Sequence, residues 1–195
     1  MIKSHIILAA GWVVFCTLHS VFAALGFKQI AKKWMGRQYK FYRLYYTIFA
    51  FISFAIVMIY LFLMHSYRLF AINAYTIISG SIISLFGLTI MGICIVKYFM
   101  QLSGLKGLIE NKTRNELMIT GIHRFIRHPL YTGTFIFIWG LLIIFPYASI
   151  LIVDIIITSY TIIGLQFEEQ KLEKEFGSAY KMYKQKVPML LPRIN

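Results

Sequence analysis

The chain is 195 residues long, 59% hydrophobic and only 14% charged, with a mean hydropathy of +0.71. A soluble domain carries about 25% charged residues, so this composition excludes one and points to an integral membrane protein with room for four or five spans of roughly 20 residues. The net charge of +13 does not point to nucleic acid, because the cations sit in the links between apolar runs rather than forming one basic face.

In chain order the first apolar run covers 5–27 ("HIILAAGWVVFCTLHSVFAALGF"). It lacks the small-residue cleavage site of a signal peptide and is long enough to span. Further runs follow at 44–64, 74–96, 130–145 and 148–167, the last two separated only by "PYAS" and so expected to form a tight helical hairpin broken at Pro146. The expectation is an all-α membrane protein: one transmembrane domain over 1–195 with five spans.

Six cations lie between the first two runs (Lys28, Lys32, Lys33, Arg37, Lys40, Arg43) and six around the third link (Lys97, Lys106, Lys112, Arg114, Arg124, Arg127). Six more follow the last run (Lys171, Lys174, Lys181, Lys184, Lys186, Arg193), against Arg68 alone in the two remaining links. The positive-inside rule therefore puts the N-terminus outside and the C-terminus in the cytoplasm, with anionic head groups helping to hold the basic links. Cys16 and Cys94 fall inside apolar runs with no spacing suited to zinc or redox chemistry, so no metal site is expected. No internal repeat, low-complexity segment, G-x-G-x-x-G fingerprint or Walker loop occurs, so a nucleotide-like cofactor would have to be held another way.

Two polar elements remain. In "RFIRHPLYTG" (124–133), Pro129 suits the first turn of a helix, and His128 stands where free N–H groups favour an anion. After the last run comes "LQFEEQKLEKEFGSAYKMYKQKVPMLLP", where Leu172, Phe176, Tyr180, Tyr183 and Val187 recur at helical spacing. That stripe predicts an amphipathic helix on the cytoplasmic membrane surface. Glu168 and Glu169 stand at the end of the last run, so a hairpin would bring them to the same membrane face as His128 and the arginines. Two accounts fit this convergence: an interfacial ion-pair network with snorkelling arginines, or a site for a zwitterion, with cations for its carboxylate and glutamate for its ammonium.

"GIHRFIRHPLYTG" followed by "FEEQKLEKEFGSAYKMYKQKVPMLLP" resembles the membrane methyltransferase superfamily of isoprenylcysteine carboxyl methyltransferases and phospholipid N-methyltransferases, over roughly 117–193. Within it, "LHSVFA", "YRLYY" and "VPMLLP" are most similar to the methanethiol S-methyltransferase group. The resemblance implies S-adenosyl-L-methionine as cofactor, bound between hairpin and C-terminal segment. His128 and Tyr131 would hold its amino-acid end with Arg127 beside them. Glu168 would take its ammonium with support from Glu169, and Gly121 with Val187, Leu190 and Pro192 would flank its adenine. Tyr131 could also face the sulfonium. Methyl transfer to a thiolate turns two charges into two neutral products, which a site of low dielectric favours.

The partners implied are membrane lipids and a small apolar or lipid-soluble acceptor, with no nucleic acid; the setting is a multi-pass protein of the bacterial inner membrane. In the prenylcysteine branch an arginine precedes the glutamate pair, whereas here Gly164 falls about where it would stand and 155–167 has no Lys or Arg. That departure favours a small thiol over a prenylcysteine or phosphatidylethanolamine. A non-enzymatic subunit of the same fold is a third reading, opposed by the presence of every charged motif position.

His19, an ionisable group within a span, is either an acceptor-site residue or a neutral histidine bonded to backbone. Asp154, 14 residues before Glu168 and so roughly 21 Å along a helix, is expected to be structural and hydrogen-bonded. Trp12, Trp34, Trp139, Tyr45 and Tyr46 are expected to be packing or interface anchors.

Overall fold

A computed structural model describes residues 1–102 and 117–192, with the side chains of 98–102 left aside. Lys106, Lys112, Arg114 and Arg193, counted above among the basic links, lie outside the described residues.

Among the described residues the chain is helical, and its sole β feature is an isolated bridge between Arg68 and Tyr147. The helices are α1 (Ile2–Ala23), α2 (Leu25–Met35), α3 (Tyr42–Leu63), α4 (Ala74–Leu102), α5 (Pro129–Ile144), α6 (Ala148–Phe176) and α7 (Ser178–Lys186). Short 3-10 turns cover Gly36–Phe41 and Gly121–Arg124. With no water to pair exposed backbone in a bilayer, apolar stretches of this length must satisfy their own N–H and C=O groups, which a helix does.

Four stretches are long and apolar enough to cross a membrane: Ile2–Ala23, Leu25–Leu63, Ala74–Lys97 and Ala148–Phe176. α5 is apolar but only 16 residues long, roughly 24 Å, and so falls below the roughly 20 residues of a usual span. The expected number of spans was five; by length alone the described helices supply four.

Three boundaries differ from the hydropathy pattern. The first apolar run breaks at Ala24, whose backbone is extended, so its last residues open a separate helix, α2. α6 continues nine residues past the apolar run, because the "EEQKLEKEF" that follows consists mainly of strong helix formers. The stripe expected on one surface helix is divided. Leu172 and Phe176 end α6, Gly177 turns the chain at φ +57°, and Tyr180 lies on α7. Tyr180 and Val187 are buried rather than facing lipid.

The chain forms two compact units: Met1–Ala71 with Pro146–Tyr160, and Ile72–Phe145 with the chain from Thr161 onward. In the first, Leu8, Trp12 and Cys16, one turn apart on α1, bury against Leu61 of α3 and Val153 of α6. The link after α3 is tied to the turn before α6: Leu69 N–H donates to the Pro146 carbonyl at 2.7 Å and Ala148 N–H to that of Tyr67 at 3.1 Å. The Ser66 hydroxyl accepts from Ser149 N–H at 3.0 Å and pairs with His5 Nε2 at 3.0 Å.

In the second unit α4 begins with a reciprocal cap, Thr76 N–H to Asn73 Oδ1 and Asn73 N–H to Thr76 Oγ1, both 3.0 Å. α4 and α5 then pack backbone to backbone. A Cβ at Gly87 would stand 2.5 Å from the Phe137 nitrogen, and one at Gly140 2.8 Å from that of Ser84. Small residues at such crossings are how helices associate where apolar burial supplies no net drive. This contact fixes α5, and with it the start of the site.

Candidate functional site

The site lies within the second unit, where the segment entering α5 meets the polar end of α6, α7 and the segment 187–190. The chain reaches it through the 3-10 turn beginning at Gly121. Arg127 N–H donates to the Pro188 carbonyl at 2.9 Å and His128 N–H to that of Met189 at 3.1 Å. Thr132 Oγ1 donates to the Leu190 carbonyl at 2.8 Å. The "VPMLLP" segment is thus laid along the entrance to α5 by its own backbone, and Pro129 at the helix start removes an N–H that would have no partner there.

Glu169 is the hub. Its Oε1 accepts from Arg127 Nε at 2.9 Å, His128 Nε2 at 2.8 Å and the Tyr180 hydroxyl at 2.7 Å, and its Oε2 accepts from Arg127 Nη2 at 3.0 Å. Lys184 Nζ stands 3.4 Å from Oε2. Arg127 Nη1 donates to the carbonyls of Lys184 and Val187, so one guanidinium ties α6, α7 and the last segment together. Arg127, His128, Glu169 and Tyr180 are all buried. A buried carboxylate is tolerable only when paired and hydrogen-bonded, and this one is saturated. Burial, first, and then the adjoining carboxylate push the Tyr180 phenol up, which keeps it neutral and donating.

Glu168 is different. It is half-buried, and among the described residues it receives one hydrogen bond, from the Tyr131 hydroxyl at 3.1 Å. The rings of Tyr131 and His128 stand 6.0 Å apart. An open cavity of about 320 Å³ adjoins the hub, lined by Arg127, Gln166, Glu169, Gln170, Glu173, Lys184 and Met189. Lys184 bridges its rim to Glu173 at 2.7 Å, and that bond raises its proton affinity.

Of the residues expected from sequence, Arg127, His128, Tyr131, Glu168, Glu169, Val187 and Leu190 come together here. Gly121 and Pro192 are exposed. The reading of the sequence missed Thr132, Tyr180, Tyr183 and His123. The Tyr183 hydroxyl donates to the His123 carbonyl at 2.6 Å, and His123 Nδ1 bonds the Arg127 carbonyl at 3.0 Å. Burial lowers the His123 imidazole's proton affinity. The signal for Tyr180 was Gly177: a glycine that breaks the helix re-aims every side chain after it.

His19 belongs to the first unit. Its Nδ1 stands 3.1 Å from the Tyr46 hydroxyl, and beside it Ser20 and Tyr160 share a 2.7 Å hydrogen bond. Tyr46 thus adds a polar contact to its packing, its ring lying 5.5 Å from that of His19. Asp154 is buried, as expected of a structural residue, and one of its carboxylate oxygens, Oδ2, meets no hydrogen-bond partner among the described residues. Those residues also contain no cluster of three or more potential metal ligands.

Comparison with known proteins agrees with this architecture. The phospholipid methyltransferase family profile matches residues 61–179, more than half of the chain. Methanethiol S-methyltransferase 2 of Bradyrhizobium diazoefficiens is 37% identical over 73 residues, covering 37% of this chain and 27% of that protein. A methanethiol S-methyltransferase of a Pseudomonas species is 38% identical over 76 residues, covering 38% and 28%. Protein-S-isoprenylcysteine O-methyltransferase of Schizosaccharomyces pombe is 30% identical over 87 residues, covering 44% and 37%. The matched part thus spans between about a quarter and just over a third of these relatives. No solved structure matches. A helical membrane architecture, a buried Arg-His-Glu hub at the start of α5 and a profile match over more than half its length agree: this chain belongs to the phospholipid methyltransferase family.

Proposed function

We propose that the chain is an S-adenosylmethionine-dependent membrane methyltransferase acting on a small thiol such as methanethiol. The observation that carries the reading is the division of labour in the glutamate pair. Glu169 is consumed by four hydrogen bonds that build the site, while Glu168 keeps a carboxylate with a single phenol on it. That carboxylate, half-buried beside an aromatic ring, fits the ammonium of an amino-acid cofactor, and the residues present therefore suit S-adenosylmethionine. When bound, this cofactor supplies an electrophilic methyl group on a sulfonium.

The chain's own contribution is binding and orientation. Glu168 takes the ammonium, and Tyr131 orients Glu168 while offering its ring face to a cation. His128 and Arg127 hold Glu169 so that the 187–192 segment stays closed along α5. Gly121, Val187, Leu190 and Pro192 remain the candidates to flank the adenine. His19 is the candidate for handling the acceptor, as an ionisable group within a span.

Gly164 supports the small-thiol reading: a Cβ there meets nothing within 4 Å, leaving room but no charge to hold a carboxylate acceptor. A lipid acceptor is the second reading, favoured by the family's description and by the isoprenylcysteine relative. Methyl transfer from labelled cofactor to a panel of thiols, prenylcysteines and phospholipids separates the two. Small thiols are expected to turn over fastest, and His19→Gln to slow them with cofactor affinity unchanged. Faster turnover of farnesylcysteine or phosphatidylethanolamine than of every thiol would replace the first reading with the second.

The distribution of cations supports a multi-pass arrangement in the bacterial inner membrane, N-terminus outside and C-terminus cytoplasmic. A cysteine placed at position 33 is expected to react with an impermeant maleimide from the cytoplasmic side only. Reaction from the outside would reverse the orientation.

A further inference from the structure

The helix α2 was not anticipated from the sequence, and neither the site nor the family reading uses it. It has two apolar strips. Phe27, Ala31 and Met35, four residues apart, turn inward: Ala31 is buried, and the Phe27 ring packs 4.8 Å from that of Phe22 and 6.5 Å from that of Tyr42. Ile30 and Trp34 form the neighbouring strip, which the described residues leave largely open: Trp34 is 88% exposed and Ile30 52%.

By helical spacing, Lys28 and Lys32 border the apolar arc on one side and Lys33 on the other. Arg37, Lys40 and Arg43 follow within the next turns, all exposed. Met1–Ala71 itself contains no aspartate or glutamate to offset these six cations.

Chain connectivity supplies the location. α1, apolar enough to cross a membrane, ends at Ala23, and of the stretch Leu25–Leu63 the strongly apolar part is α3, which begins at Tyr42 and is long enough to cross one. Residues 24–41 must therefore lie at a membrane surface. A short helix there, with a bare tryptophan strip and cations on both borders, meets the two requirements of an interfacial element: an apolar face for the acyl boundary and positive charge for the head groups. We propose that α2 and the turn after it form a docking site for anionic phospholipid head groups, with Ile30 and Trp34 set into the acyl boundary.

This inference rests on the first unit alone and stands apart from the catalytic reading. Native mass spectrometry of the full chain, equilibrated in detergent with equimolar phosphatidylglycerol and phosphatidylcholine, reads it. Wild type is expected to retain phosphatidylglycerol selectively. The combined Lys28→Gln, Lys32→Gln, Lys33→Gln variant is expected to lose about a hundredfold of that preference, since each cation at an anionic surface contributes about fivefold. The matching triple arginine variant keeps the charges and should keep the preference, which separates lost charge from lost folding. In vesicles, brominated acyl chains are expected to quench a component of the tryptophan emission that Trp34→Phe removes.

Four results would each overturn the proposal: equal retention of both lipids by wild type, an unchanged preference in the triple glutamine variant, displacement of lipid by inorganic phosphate at constant ionic strength, or a dimeric mass that Trp34→Ala abolishes. The third would make it a free-anion site, and the fourth would make the strip an interface between copies.

Discussion

Arg127→Met is expected to destabilise the protein by about 3–5 kcal/mol, the usual consequence of removing one partner from a buried ion pair. The reason is local. Arg127 makes two of the four hydrogen bonds that Glu169 receives and also holds the Lys184 and Val187 carbonyls, so its loss leaves a carboxylate that is only 5% exposed short of charge compensation. It also releases two carbonyls at the junction of α7 and the last segment. The measurement is the unfolding midpoint in detergent.

The double variant Arg127→Met, Glu169→Met should recover part of the loss. A buried pair replaced on both sides by apolar groups is far better tolerated than a pair broken on one side. A midpoint for Arg127→Met equal to that of wild type would show that the hub is not what closes the segment over α5.

Glu168→Gln is expected to leave that midpoint within about 0.5 kcal/mol of wild type while weakening S-adenosylmethionine binding by about ten- to a hundredfold. Glu168 is half-buried and its one hydrogen bond, from Tyr131, can be accepted equally by an amide oxygen. The fold therefore loses little. A ligand ammonium would lose its countercharge, and a charge-assisted pair of this kind contributes about 1.5–3 kcal/mol or more when desolvated. Calorimetric titration of the purified protein in detergent tests this. Wild-type affinity in Glu168→Gln would remove Glu168 from the cofactor's amino-acid end.

The two variants also separate what the sequence presents as equivalent. Glu168 and Glu169 are neighbours of one type, and on a helix neighbours point about 100° apart. Only the surroundings decide that one is walled in by Arg127, His128 and Tyr180 while the other keeps an open side.

The amino-acid sequence by itself determined that this is a helical membrane protein, because 59% hydrophobic residues in runs near 20 long leave the backbone no other way to satisfy itself. It also determined where α5 begins, through Pro129, and that the chemistry-bearing residues gather at "RFIRHP" and "FEEQ". Those features follow from composition and local spacing, which a linear chain carries openly.

What only the tertiary structure decided concerns partners distant in sequence. Ala24 breaks an apolar run that hydropathy reads as continuous, giving α2 its separate surface. Gly177 redirects α7, so that Tyr180, periodic with a lipid-facing stripe, instead donates to Glu169. Tyr46, indistinguishable in sequence from Tyr45 beside it, is the one that reaches His19. In each case a sharp local turn of the backbone, or a position one residue further around a helix, chooses between burial against protein and exposure on the surface. In a chain this apolar the two environments select the same residues, so hydrophobicity alone does not distinguish them.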